Sequence, residues 1–448
     1  MSVVLPKEIA YTPGLPSLPA DTINTSIVLA PTNGSVFNLN SGQMIIFDLP
    51  ARGFLDPSTL YIRFTYNITV PVISDPATAN FTSVIGTPAY SAFSRCETLF
   101  GSQIVESIYN YGVVQNMLLS NSLNIAQKLG LGNMLGYSDE NDAPELAGVN
   151  GRRLSSGTAG NVYSFPVCAP LNCLIANCEH LYPLFASSNV RIQLTLDSIA
   201  NIIKAAGTNT LPTVVNLSNV ELCFDMVDFG SNVENIVKSM GAPFYIKSES
   251  YAVAQQTLPA FQGTAELNFN MRLSSIKSLW AINGGNGTTN GIYDSFDLTQ
   301  RITNYTTNAV SGGGDYSFTI AGKSFPDRPL STTTNKPSIL LECQMAKGHS
   351  VGDVGIADNA INSDQLYYTN NSASTTIIKP SNFFVGVNTE KLRTNNSLLS
   401  GISTNNSAIT YRVNCTSSTG TSNYVSLVAV YDALIEIDPV LRNANIKQ

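Results

Sequence analysis

Charge is what this sequence has least of. Of its 448 residues, 12% are Asp, Glu, Lys or Arg, about half the roughly 25% usual in soluble proteins. Lys and Arg form no block, the net charge is -7 and the pI is about 4.9. Nucleic acid binding needs a basic footprint that displaces counterions, so no direct, sequence-specific nucleic acid binding is expected. No apolar run approaches the ~18 residues that a membrane-spanning helix needs. The opening stretch MSVVLPKEIAYTPGLPSLPAD has no charged region followed by an apolar core, so it does not read as a signal peptide.

Catalytic signatures are missing too. There is no G-x-S-x-G, no H-E-x-x-H and no D-x-D-x-D-G, the patterns that mark common hydrolytic and calcium sites. Only two histidines occur, His180 and His349, and neither sits in a nucleophile motif. Gly284-Gly285-Asn286-Gly287 lacks the Lys-Ser/Thr of a phosphate loop, and Asn290 stands where a dinucleotide fingerprint needs its third Gly. It reads as a soft loop. No enzyme activity, no cofactor, and no catalytic or cofactor-binding residue is expected.

The cysteines are few and odd in number: Cys96, Cys168, Cys173, Cys178, Cys223, Cys343 and Cys415. Several lie in strand-like runs, where a free thiol acts as a small hydrophobe, and the pattern suits a reducing compartment. Cys168, Cys173, Cys178 and His180 form C-x4-C-x4-C-x-H. Four soft ligands this close could hold zinc, but structural zinc sites usually pair ligands more tightly and add a distant second pair. Buried thiols, with no metal ligands, are the expectation. The acidic run SDENDAPE, Ser138 to Glu145, reads as a solvated loop rather than a cation site.

What is present is alternation. The chain is 43% hydrophobic, enough to exclude disorder. TLYIRFTYNIT puts Leu60, Ile62, Phe64, Tyr66 and Ile68 on one face. NVRIQLTLDS, NVELCFDM, AELNFNMRL and ITYRVNC repeat the pattern. Each reads as a strand with one buried face, and many such strands between Gly, Pro and Asn turns predict sandwiches. Helices are few: Val105 to Leu123, Asn335 to Gly348, and Asn232 to Met240.

The two halves rhyme. MIIFDLPARGFLDPSTLYIRF and ELNFNMRLSSIKSLWAIN each give a strand with a central Phe (Phe47, Phe269), a turn, then Leu60-Tyr61 or Leu279-Trp280. The offset is about 220 residues, close to half the chain. Two β-sandwiches in tandem are predicted. Three long turn-rich segments, Gly284 to Tyr316, Gly348 to Thr375 and Thr394 to Ser407, read as elaborated loops at one end.

Several passages resemble the double jelly-roll major capsid proteins of double-stranded DNA viruses. That lineage includes adenovirus hexon, tectivirus-type phages, virophages, polinton-like viruses and the nucleocytoplasmic large DNA viruses. CETLFGSQIVESIYNYGVVQNMLL (Cys96 to Leu119) is similar to its strand pair leading into a helix. HLYPLFASSNVRIQLTLDS (His180 to Ser198) is similar to a Pro-Leu turn and strand of the same unit. SSIKSLWAIN, FTIAGKSFPDRPLS and YDALIEIDP (Tyr431 to Pro439) resemble parts of the second unit.

The resemblance implies an all-β fold: two tandem eight-stranded jelly-roll β-sandwiches with few short helices and long loops. The expected division is an extended N-terminal arm at 1–40, a first jelly roll at 41–230, and a linker helix at 231–245. A second jelly roll with outward loops follows at 246–438, then a C-terminal tail at 439–448. The implied function is a major capsid protein whose homotrimers form pseudo-hexagonal capsomers of an icosahedral shell. The implied partners are copies of itself, neighbouring capsomers, and penton and minor capsid proteins. An internal membrane occurs in parts of the lineage. The implied location is the virion, assembled inside a host cell. A secreted or surface β-sandwich adhesin that binds carbohydrate is the alternative. A single shell jelly roll with a protruding domain, as in icosahedral RNA viruses, fits the internal repeat less well.

Overall fold

The alternating runs become strands whose inward residues build two sandwich cores. In the computed structural model the described residues are 22–39, 42–69, 82–85, 87–122, 132–136, 151–154, 160–205, 211–239, 241–258, 263–285, 315–331, 336–348, 384–391, 399–415 and 423–447. In one sheet of the first unit, β1 (Ile23–Leu29) and β2 (Val36–Asn38) pair in turn with β14 (Val214–Asp228). β14 also pairs with β5 (Tyr61–Thr69), and β5 with β10 (Val162–Pro170). Two short strands, β4 (Phe54–Leu55) and β11 (Tyr182–Pro183), extend the sheet past the start of β5. The second sheet runs β3 (Met44–Asp48), β12 (Val190–Leu196), β7 (Phe93–Phe100), β8 (Gln103–Tyr109). A small separate sheet joins β6 (Thr82–Ile85), β9 (Gly151–Arg153) and β13 (Ile203–Ala205).

The second unit repeats the plan. One sheet runs β15 (Phe244–Leu258), β22 (Asn423–Asp438), β17 (Ile276–Gly285), β20 (Phe384–Asn388), with β23 (Asn443–Lys447) added to β22. The other runs β16 (Gly263–Phe269), β21 (Ile409–Cys415), β18 (Asp315–Ile320), β19 (Lys323–Ser331). Counted along the chain, one sheet holds the first, eighth, third and sixth strands and the other the second, seventh, fourth and fifth. The first unit follows the same order when β1 and β2 are taken as one interrupted strand. That order is the jelly roll. The separation of matching strands stays near about 220 residues throughout, from β3 and β16 to β12 and β21.

A helix follows the fifth strand in both units: Tyr111–Ser122 after β8 and Lys336–Ala346 after β19. A third helix, Ser231–Ser239, joins the units and buries none of its residues. An ion pair one turn apart, Lys238 to Glu234 at 3.1 Å, supports it.

The segment Val105 to Leu123 is only partly helical. Residues 103–109 pair with β7 as a strand, and the helix starts at Tyr111. The strand hides from a periodicity argument because Glu106, a charged residue, takes an inward position beside Ile108. β1 and β2 fall inside residues 1–40, the expected arm, and β23 inside the expected tail. β17 continues through Gly284 and Gly285, which oppose Tyr424 and Asn423. The strand that carries the single tryptophan therefore reaches two glycines further than its sequence suggests. Residues 286–314 and 349–383, most of two predicted loops, lie outside the described residues, as do the acidic run, His349 and residues 1–21. Leu258 and Gly285 both oppose Asn423. The chain thus leaves both strands at one end of the sandwich.

Trp280 is 1% exposed, and its indole N–H donates to Ser278 Oγ at 3.0 Å. Its ring lies 5.9 Å from that of Phe384 on the neighbouring strand. Leu279, on the opposite face, is buried as well. β17 is therefore covered on both sides, which is why its sequence does not alternate.

Candidate functional site: the seam between the units

The two units meet where an edge strand of each comes together: β8 of the first and β15 of the second. The connection between β10 and β12 wraps over the same joint. At its centre is Glu106, 3% exposed. Ser250 of the second unit donates to its Oε1 at 2.5 Å. Thr98 Oγ1 and the Leu174 N–H both donate to its Oε2 at 2.8 Å. Burial pushes the Glu106 carboxyl above its ordinary range, and these three donors pull it back part of the way.

Other bonds cross the seam around it. Ser248 Oγ donates to the Leu174 carbonyl at 2.5 Å, and Asn177 Nδ2 to the Glu249 carbonyl at 3.0 Å. Asn172 Nδ2 donates to Tyr251 Oη at 3.1 Å, and the Glu179 N–H to the Lys247 carbonyl at 3.1 Å. Lys247 Nζ lies 3.5 Å from Glu179 of the first unit and 3.5 Å from Asp432 of the second. Asp432 is buried and also accepts from Ser275 Oγ at 2.8 Å and the Ser400 N–H at 3.4 Å. Lys277 binds Glu249 at 2.8 Å. Burial alone would lower the Lys277 pKa, but Glu249, with Asp432 and Glu390, outweighs it and the net shift is upward.

Chemically this is a fastening. Buried polar groups stay stable only when partnered, and removing one partner strands the other. Among the described residues no group of three or more His, Cys, Asp or Glu is placed to hold a metal ion.

The four clustered ligand candidates are dispersed. Cys173 is buried and hydrogen-bonds Cys96, a thiol that this contact and burial push to a high pKa. Cys168 sits on β10 opposite Arg63, near Cys223. Cys178 donates to the Leu174 carbonyl at 3.4 Å, and burial raises its pKa. His180 is exposed. Sequence reasoning did not find Glu106. The available signal was a carboxylate two residues before Ile108, on the same face of a strand, inside an otherwise apolar stretch.

No protein-family model matches this chain, and no curated protein does. Solved structures do. The Faustovirus major capsid protein aligns with a TM-score of 0.60 at 8% identity, over 96% of this chain and 92% of that one. The PBCV-1 virus capsid protein aligns at 0.57 and 10% identity, over 98% and 99%. The mavirus major capsid protein aligns at 0.54 and 10% identity, over 100% and 96%. The chain therefore has the double jelly-roll fold of these proteins along nearly its whole length.

Proposed function

We propose that this chain is a viral major capsid protein. Three copies form a pseudo-hexagonal capsomer, and capsomers tile an icosahedral shell. One observation carries the reading: two units with the same strand order are joined side by side by a hydrogen-bonded seam centred on the buried Glu106. A rigid pair of like units turns threefold symmetry into near-sixfold shape. The fold likeness to three capsid proteins supports the same role, and it is a structural role rather than a catalytic one.

In this reading residues 41–230 and 246–438 are the two units and 231–245 joins them. β1, β2 and β23 carry their sheets beyond those limits. The partners are other copies of the chain, with penton and minor capsid proteins completing the shell, and the location is the virion. An internal membrane is compatible with the reading and is not required by it.

The test is the mass in solution. Light scattering on purified protein should give a trimer of the 47.9 kDa chain or larger assemblies, since closed symmetric oligomers are the norm. A monomer at micromolar concentration in several salts overturns the proposal. An adhesin would give that monomer and would bind glycan.

A further inference from the structure

Lys247 lies between two carboxylates that differ in burial. Its Nζ is 3.5 Å from Asp432 Oδ1 and 3.5 Å from Glu179 Oε1. The Asp432 side chain is 1% exposed, that of Glu179 25% and that of Lys247 16%. In the lysine pairs of Glu234, Glu249 and Glu436 the carboxylate is between 20% and 35% exposed.

The chain brings these groups together from three places. Lys247 is on β15 and Asp432 on β22, the first and last of the eight strands of the second unit. Glu249 stands opposite Asp432, and Lys247 opposite Leu434. Lys247 and Asp432 are therefore diagonal neighbours on one face, a spacing that a long side chain spans. Glu179 comes from the first unit and is fixed by its own N–H, which donates to the Lys247 carbonyl at 3.1 Å. The far oxygen of Asp432, Oδ2, accepts from Ser275 Oγ at 2.8 Å and from the Ser400 N–H at 3.4 Å.

An amine is thus held against a buried carboxyl group, with hydrogen-bond donors on the far oxygen and a second acid beside the amine. Such positioning favours acyl transfer to nitrogen. We propose that Lys247 and Asp432 join in an isopeptide bond once the second unit has folded. Nζ forms a bond to Cγ, and Ser275 and Ser400 hold the charge that develops on Oδ2. The bond from Cγ to Oδ1 breaks. Two protons leave the Nζ ammonium and end on Oδ1, which departs as water, and Glu179 carries one of them. An ammonium and a carboxylate become a neutral amide and a water, so net charge is unchanged and nothing is oxidised or reduced.

The driving force is the removal of two charges from a largely dry site, where attraction between ions repays desolvation poorly. Lys277 and Glu249 have less of that drive, because the Glu249 side chain is 35% exposed. The bond ties the last long strand of the chain to the strand that borders the seam, so β22 cannot peel away from β15.

The test is the mass of the intact, folded wild-type chain. It should lie one water below the mass of the sequence, and protease digestion should release a branched peptide joining residues 247 and 432. Lys247→Arg keeps the positive charge and cannot form the bond, so it should show the full mass and a lower melting temperature. Glu179→Gln should keep the wild-type circular dichroism and close on the order of a hundredfold more slowly. A wild-type chain that keeps its full mass after days at neutral pH overturns the proposal. So does a lost water that persists in Lys247→Arg, or one that maps to a cyclised Asp side chain. Closure at the wild-type rate in Glu179→Gln overturns the part given to Glu179. The capsid reading is tested by the oligomer mass and is independent of this result.

Discussion

Gly386 lies under the ring of Trp280. The two face each other across β17 and β20, and a Cβ added at 386 would come within 2.6 Å of Cζ3 and 2.9 Å of Cδ2. The only tryptophan in the chain is seated where its neighbour has no side chain. Trp280→Ala should destabilise the second unit by about 3–5 kcal/mol. Gly386→Ala should cost about 1–3 kcal/mol through overpacking. The two should not add: with the ring gone, the extra methyl fills space, and the double variant should be more stable than Trp280→Ala alone. Urea midpoints for the three variants read this directly, and simple additivity would mean that the contact is not what constrains residue 386.

Glu106 gives a prediction with a sign. Its carboxyl is held above the ordinary 4.5 by burial. A raised folded-state pKa contributes stability that is full below the unfolded value and is lost as pH rises through the folded one. Unfolding midpoints measured from about pH 4 to about pH 8 should therefore fall with pH. Glu106→Gln, neutral throughout, should flatten that fall. Glu106→Ala should destabilise at every pH by at least about 3 kcal/mol, because two hydroxyls and the Leu174 N–H lose their acceptor. Equal slopes for the wild type and the Gln variant would remove Glu106 as the source.

Gly401 is tighter than Gly386. A Cβ there would lie 2.5 Å from the carbonyl carbons of Ser275 and Ile276, and backbone cannot rotate away. Its N–H donates to Ser275 Oγ at 3.0 Å, and that hydroxyl donates to the buried Asp432. Gly401→Ala should therefore lower stability by more than Gly386→Ala, and should loosen the Lys247–Asp432 pair at the seam. Hydrogen exchange of the Ser400 and Asp432 amides is the readout. Wild-type protection in the variant would contradict this.

The cysteines should behave as packing residues. Cys173 hydrogen-bonds Cys96, and Cys168 lies near Cys223. Elemental analysis should find no stoichiometric zinc, and a chelator should leave the melting temperature unchanged. A thiol reagent should reach Cys96, Cys173, Cys223 and Cys343, all buried, only as fast as the protein opens. About one zinc per chain would reverse this view.

Much of the fold could be read from the residues. Strands such as β5 and β12 have one wet face, so Arg63 and Gln193 alternate with buried neighbours and period two is plain. The half-chain rhyme was readable because Phe47 and Phe269 hold the same place in matching strands. Three things were harder to read. β17 is covered on both faces and does not alternate. β8 puts a carboxylate inward, so its apolar spacing imitates a helix. β1 follows a proline-rich stretch and is almost wholly exposed, so no buried face marks it. The seam was not legible at all, because its partners, Glu106, Leu174 and Ser250, are far apart in sequence and meet only after two sheets exist.

β15 has a timing problem as a consequence of its two sets of partners. On the ribosome it emerges just after β14 completes the first unit. Its neighbour within its own sheet, β22, starts at Asn423, which at roughly 5–20 residues per second arrives on the order of ten seconds later. A 15-residue strand with one bare edge is a template for misassembly in that interval. The seam gives it somewhere to go: Glu106, Leu174 and Asn177 are already made and bind its other edge. The first unit thus serves as a nursery for the second, holding its leading strand in register until the chain's last long strand arrives to close the sheet. Truncated chains that stop before Asn423 should keep β15 protected in the wild type and lose that protection in Glu106→Ala.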